Sequence, residues 1–75
     1  MNKYSKTCIA IADIISAHSK DHNETVYSAF WYAHLTMMNI MFAEGLISKH
    51  EYAVLDRYND IMLYKRKLSN QVIVW

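Results

Sequence analysis

Hydrophobic positions along the chain recur at helical rather than strand spacing. Tyr4, Cys8, Ile11 and Ile15 fall at i, i+4, i+7 and i+11, one stripe of an α-helix. Ile9, Ala12 and Ile14 widen the stripe, so a first helix over about residues 3–20 is expected to be covered on two sides. A second helix, over about 23–44, carries two stripes. Val26, Phe30, Ala33, Met37 and Ile40 form one; Tyr27, Trp31, Leu35, Met38 and Phe42 form the other. On a third helix, over about 49–68, Tyr52, Leu55 and Met62 form one side, with Val54, Tyr58, Ile61 and Leu68 alongside; Asn59 interrupts the row.

Capping chemistry separates these helices. Asp21 with Glu24 has the form of a capping box, and Asn23 is an alternative N-cap. Gly45 stands where a left-handed residue ends a helix, and Leu46 follows as the apolar residue of that motif. Ser48-Lys49-His50-Glu51 matches the S-x-x-E capping box, with Ile47 and Tyr52 placed to close a hydrophobic staple. A connection as short as residues 45–48 makes the second and third helices antiparallel neighbours or a more open helix-turn-helix. Lys65, Arg66 and Lys67 are predicted to fill the last turn, where cations favour the macrodipole. The tail from Ser69 is β-branched and aromatic at Val72–Trp75, and its reading stays open between a strand, a helical extension and a packed tail. The expectation is one all-α domain over residues 1–75: a small three-helix fold with an antiparallel hairpin, the first helix packed across it.

Composition narrows the picture. Seventy-five residues contain one Gly and no Pro, so little breaks a helix. A chain this short has a marginal core, and folds of this size lean on disulfides, metals or partner subunits. Cys8 is the only cysteine, which excludes an intrachain disulfide and a Cys-based zinc cluster, and leaves association. At 53% hydrophobic residues and a net charge of +1, the chain is no disordered polyelectrolyte and lacks the basic surplus of a nonspecific nucleic-acid binder. Cys8–Ile15 is interrupted by Asp13, and the uncharged run Thr25–Ala43 is diluted by polar residues. Neither a signal peptide nor a membrane span is therefore expected, and the location predicted is cytoplasmic.

Candidate chemistry is sparse. His18 and His22 are spaced i, i+4, but a metal site would need a third ligand such as Asp21 or Glu24, and no strong zinc spacing occurs; no metal or cofactor is predicted. Cys8 among Ile and Ala reads as a small buried hydrophobe rather than a nucleophile. No phosphate loop, G-x-S-x-G or H-E-x-x-H is present, so no catalytic residue is assigned. The two-striped helix reads either as a central helix between the others or as one offering a stripe to a partner, and the two are compatible. Met and aromatic residues suit adaptable interfaces. The contact residues predicted are Tyr27, Trp31, Leu35 and Met38, with Trp75 as an outlying anchor.

Residues 35–68 resemble the SHOCT-type short helical module, in which a leucine-bearing helix, a G-hydrophobic-(S/T)-x-x-E-(F/Y) turn and a second helix follow one another. The matching residues are Gly45-Leu46-Ile47-Ser48-Lys49-His50-Glu51-Tyr52, with one extra apolar residue as in GLI(T/S)xxEY variants. The likeness covers under half the chain. It implies association without catalysis, in a family whose relatives accompany phage and mobile-element proteins, and it transfers no site residues.

The function expected is therefore non-catalytic protein–protein interaction. The chain would act as a small regulatory or accessory protein, phage- or mobile-element-encoded, that self-associates as a homo-oligomer or binds a larger protein. The alternative is a nucleic-acid-binding regulator using Arg57, Lys65, Arg66 and Lys67, although Glu51, Asp56 and Asp60 dilute its field. A third class, a membrane-surface peptide, would turn Tyr4, Ile11 and Ile15 to lipid.

Overall fold

The computed structural model describes residues 3–20 and 24–71, with side chains over 3–20 and 28–63. It contains three helices: α1 (Lys6–His18), α2 (Glu24–Ala43) and α3 (Lys49–Gln71). No strand occurs among the described residues. All three helix pairs pack on one another, as a small all-α domain requires.

Each described boundary has a chemical cause. α1 begins three residues later than its apolar stripe suggests, because Ser5 adopts an extended backbone (φ −65°, ψ 158°) and its Oγ accepts from the Cys8 N–H at 3.1 Å. At its other end Ser19 Oγ donates to the Ser16 carbonyl at 2.7 Å. α2 ends at a Schellman turn: the Leu46 N–H donates to the Met41 carbonyl at 2.9 Å and Gly45 to Phe42 at 3.0 Å, with Gly45 at φ 75°. The Ser48 capping box is reciprocal, Glu51 N–H to Ser48 Oγ at 3.0 Å and Ser48 N–H to Glu51 Oε1 at 2.9 Å. The caps expected at Asp21 and Asn23 lie outside the described residues.

α3 continues through Ser69 and Asn70 to Gln71, since neither Gly nor Pro stops it. Lys65, Arg66 and Lys67 therefore precede the last turn, and the macrodipole role expected of them is corrected. Val72–Trp75 lie outside the described residues, so the strand question is left with them.

The hydrogen bonds fix the topology. Facing partners across α2 and α3 run in opposite order: Asn39 with Tyr52, His34 with Asn59, Trp31 with Asp60. The two helices are therefore antiparallel. Ser5 meets Glu51 and Tyr4 stacks on His50, so α1 runs parallel to α3. Between them Cys8, Ile11 and Ile15 of α1 meet Met38, Ile47 and Leu55 in one buried cluster. Ile47, the first half of the expected staple, is buried, and Tyr52 is half-buried against the same cluster. α1 packs against both α2 and α3, the two-sided cover expected of it, while Ile14 stays 38% exposed.

Gly45 has open space where a Cβ would be, so a side chain there meets only the backbone penalty of the left-handed conformation. Gly45→Ala is expected to lower unfolding stability by about 1–2 kcal/mol, and Gly45→Asn by less, since Asn visits that region more readily. Urea denaturation of the three proteins measures this; an unchanged midpoint for the alanine variant would contradict it.

Candidate functional site

Two features stand out: the outward face of α2 and a polar chain buried beneath its inner face. The inner face is centred on His34 and Met38, one turn apart and both essentially inaccessible. Leu35, Met37 and Met41 flank that line against the core. The opposite arc exposes Ala29, Tyr32, Ala33, Thr36, Ile40 and Ala43. None of these is charged. Tyr32 is 66% and Ile40 53% exposed.

The predicted contact residues fall on different sides of this division. Met38 is a core residue with 0% exposure, and so offers no surface to a partner. Leu35 is half-buried against the core. Trp31 is half-buried; its Nε1–H donates to Asp60 Oδ1 at 2.7 Å, and its ring meets Tyr32 edge-on at 5.0 Å. It thus borders the exposed arc. The Tyr27 side chain and Trp75 lie outside what is described. The stripe turns inward because α1 and α3 both pack on that side of α2. Of the alternative basic set, Arg57 is exposed on α3, and the side chains of Lys65, Arg66 and Lys67 lie outside the described residues.

The buried polar chain joins all three helices. His18 Nδ1 lies 2.7 Å from His34 Nε2, and His34 Nδ1 lies 2.8 Å from Asn59 Oδ1. Asn59 Nδ2 donates to the Trp31 carbonyl at 3.3 Å, which orients the amide and turns its oxygen to His34. His34 therefore carries its proton on Nδ1 and accepts on Nε2, so His18 donates from Nδ1. His18 also stacks on Phe30, with centroids 3.9 Å apart. Burial pushes the His34 pKa below its ordinary 6.5; the Asn59 bond opposes this and the His18 ring reinforces it. A tetrahedral zinc ion bound by both facing nitrogens would hold them about 3.3 Å apart, which is more than the 2.7 Å found. Among the described residues no three His, Cys, Asp or Glu side chains cluster as a metal site; His22 is not among them.

At the far end, a hollow of about 590 Å³ is lined by Lys3, Tyr4, Ser5, Ser48, His50 and Glu51. Ser5, Ser48 and Glu51 are engaged with one another there. Glu51 accepts from the Ser5 N–H at 2.6 Å, from Ser5 Oγ at 3.2 Å, and from the Ser48 N–H. The backbone bond from Ser5, then that from Ser48, holds its carboxyl below the ordinary 4.5. Cys8 is a free, buried thiol whose pKa is raised by burial and by Glu51, the reverse of what a nucleophile needs. A smaller groove of about 240 Å³ between α1 and α3 is lined mostly by apolar side chains, including Cys8, Leu55 and Tyr58.

Sequence reasoning missed Ser5, His34 and Asn59. The signal for Asn59 was its break in an apolar row, and for His34 its place between two apolar stripes. No family model matches the chain, and neither a curated protein nor a solved structure matches it. No helix among the described residues is long and apolar enough to cross a membrane.

The relay sets a pH dependence. A histidine with a depressed folded pKa binds its proton more readily when unfolded. Stability is then full above about pH 6.5 and falls as the pH drops below it. The depressed Glu51 carboxyl adds a second loss as the pH falls below its ordinary 4.5. Urea midpoints should decline from pH 7.5 to 5.5, and His34→Gln should flatten that decline; a midpoint rising on acidification would contradict the assignment. Asn59→Leu leaves the His34 Nδ1–H without its acceptor and should cost about 1–3 kcal/mol at neutral pH, measured in the same way.

Proposed function

We propose that this chain is a small, non-catalytic protein–protein interaction domain, acting in the cytoplasm as a regulatory or accessory protein. Its contact surface is the outer face of α2. One observation carries the reading. A helix on the surface of a small domain normally turns charged residues outward, whereas the exposed arc of α2 has none and carries Tyr32 and Ile40 at its middle. Such an arc gains by being covered. Tyr is a favoured interface anchor because its ring is apolar and its hydroxyl can stay wet. Trp31, edge-on to Tyr32, extends the surface from the residues first singled out for contact.

Other features support the same reading. The titratable groups brought together, His18 with His34 and Glu51 with Ser5 and Ser48, are engaged with one another. The SHOCT-type resemblance of residues 35–68 also implies association.

Ile40→Asp tests the proposal, because Ile40 is exposed and its loss leaves the core cluster whole. The variant should keep the far-UV circular dichroism of the parent and lose both self-association and capture of partners on an affinity matrix. Equal retention of partners by parent and variant would exclude the α2 face as the contact surface.

A further inference from the structure

We propose that the His18–His34 pair is an acid-sensitive clasp. Closed, it holds one added proton but not two, and the second proton releases α1 from the α2–α3 hairpin. This is independent of the role proposed for the outer face of α2.

The geometry sets the proton count. His34 is 1% exposed and both of its ring nitrogens are used. Nδ1–H donates to Asn59 Oδ1 at 2.8 Å, and Nε2 accepts from His18 Nδ1–H at 2.7 Å. A first proton binds at Nε2 of the half-buried His18. It leaves Nδ1–H donating, and a charged donor strengthens the bond. A second proton is left with His34 Nε2. There it removes the acceptor, sets two N–H groups against each other, and creates two imidazoliums with ring centroids 4.9 Å apart.

The surroundings do not offset that charge. α1 turns His18 to His34, α2 adds the uncharged Phe30, and α3 adds the uncharged Asn59. The Asn59 amide cannot reverse to help, because its Nδ2 is held by the Trp31 carbonyl. Asp60, next on α3, is exposed and accepts from Trp31 Nε1 instead. Among the described residues no Asp, Glu or Cys joins the two histidines in a cluster. Burial, and with it the His18 ring, holds the His34 pKa below its ordinary 6.5, as this arrangement requires.

The other polar junction of α1, Ser5 with Glu51, depends on a carboxyl held below its ordinary 4.5. Acid between pH 6.5 and 4.5 therefore acts on the histidine pair first. Release of α1 bares Met38, Ile47 and Leu55, which pack against it in the core. The hairpin keeps its Schellman turn, its capping box, and the Tyr52–Asn39 and Trp31–Asp60 bonds. Acid thus gives the hairpin an apolar inner face that is covered at neutral pH.

Cys8 supplies the test, since its thiol lies on α1 and is 3% exposed while the clasp is closed. The full chain is labelled with a dipyridyl disulfide, which reacts with thiols in acid, and the rate is divided by that of a cysteine peptide. The open chain takes both protons and the closed chain one. Labelling should therefore quicken about tenfold per pH unit below about pH 6, the linkage of a single proton. A rise of about a hundredfold per unit would mean that the closed pair takes neither proton, and no rise that it takes both; either overturns the proposal.

His34→Gln should abolish the acceleration. His18→Asn should reduce it to less than about threefold per unit, because an amide at the place of His18 Nδ1 can turn its oxygen to accept from a protonated His34. An unchanged slope in His18→Asn would assign the effect to burial of His34 alone and overturn the clasp. Flattening by His22→Gln would assign it to a histidine outside the pair, with the same result. Amide hydrogen exchange locates the opening. The Ile15 amide of α1 should be protected to the same degree as Cys8, and those of Met38 and Leu55 at least about tenfold more. Equal protection in all three helices would mean that the whole fold opens at once, which also overturns the proposal.

Discussion

The carboxylate of Glu51 holds together the two helix starts from which the fold is built. It closes the capping box of α3 through the Ser48 N–H and also accepts from the backbone and hydroxyl of Ser5, the N-cap of α1. One charged group therefore serves the unsatisfied donors of two parallel helices, at the ends where their macrodipoles favour an anion. A carboxylate that also accepts from α1 cannot be replaced by a residue suited only to local capping. The junction fixes α1 against α3 lengthwise, which is what lets Cys8, Ile11 and Ile15 meet Leu55.

The His18–His34–Asn59 chain does comparable work farther along. It links α1 to α2 and α2 to α3, and its donors and acceptors match in only one direction. The apolar cluster lies between these two polar junctions. Hydrophobic burial is indifferent to small slips of one helix on another, whereas a hydrogen-bonded chain with fixed donors is not. The core contributes cohesion, and the polar groups choose the register.

What could be read from the sequence follows from the range of each interaction. The α1 stripe was legible because Cys8, Ile11 and Ile15 share a face by spacing alone. Gly45, Ser48 and Glu51 were legible because a Schellman turn and a capping box are local. The second use of Glu51 was hidden, since nothing local ties it to Ser5, 46 residues away. His34 and Asn59 were hidden for another reason: periodicity reads a polar residue as outward-facing, and these two are inward because they satisfy each other. The outward face of α2 was the hardest to identify. Both of its sides are apolar, so aromatic content favoured the stripe that holds Met38, and Met38 belongs to the core.

The reach of the Ser5–Glu51 contact also orders the assembly of the chain. The α2–α3 turn closes over a handful of residues, through bonds such as Leu46 to Met41. Bringing Ser5 to Glu51 closes a loop of most of the protein, and chain entropy makes the longer closure the costlier one. The hairpin is thus the unit that can form first, and α1 the element that docks onto it. The two ends of that docking are the Glu51 junction and the histidine pair, so detachment of α1 breaks both polar junctions and opens the core in one step.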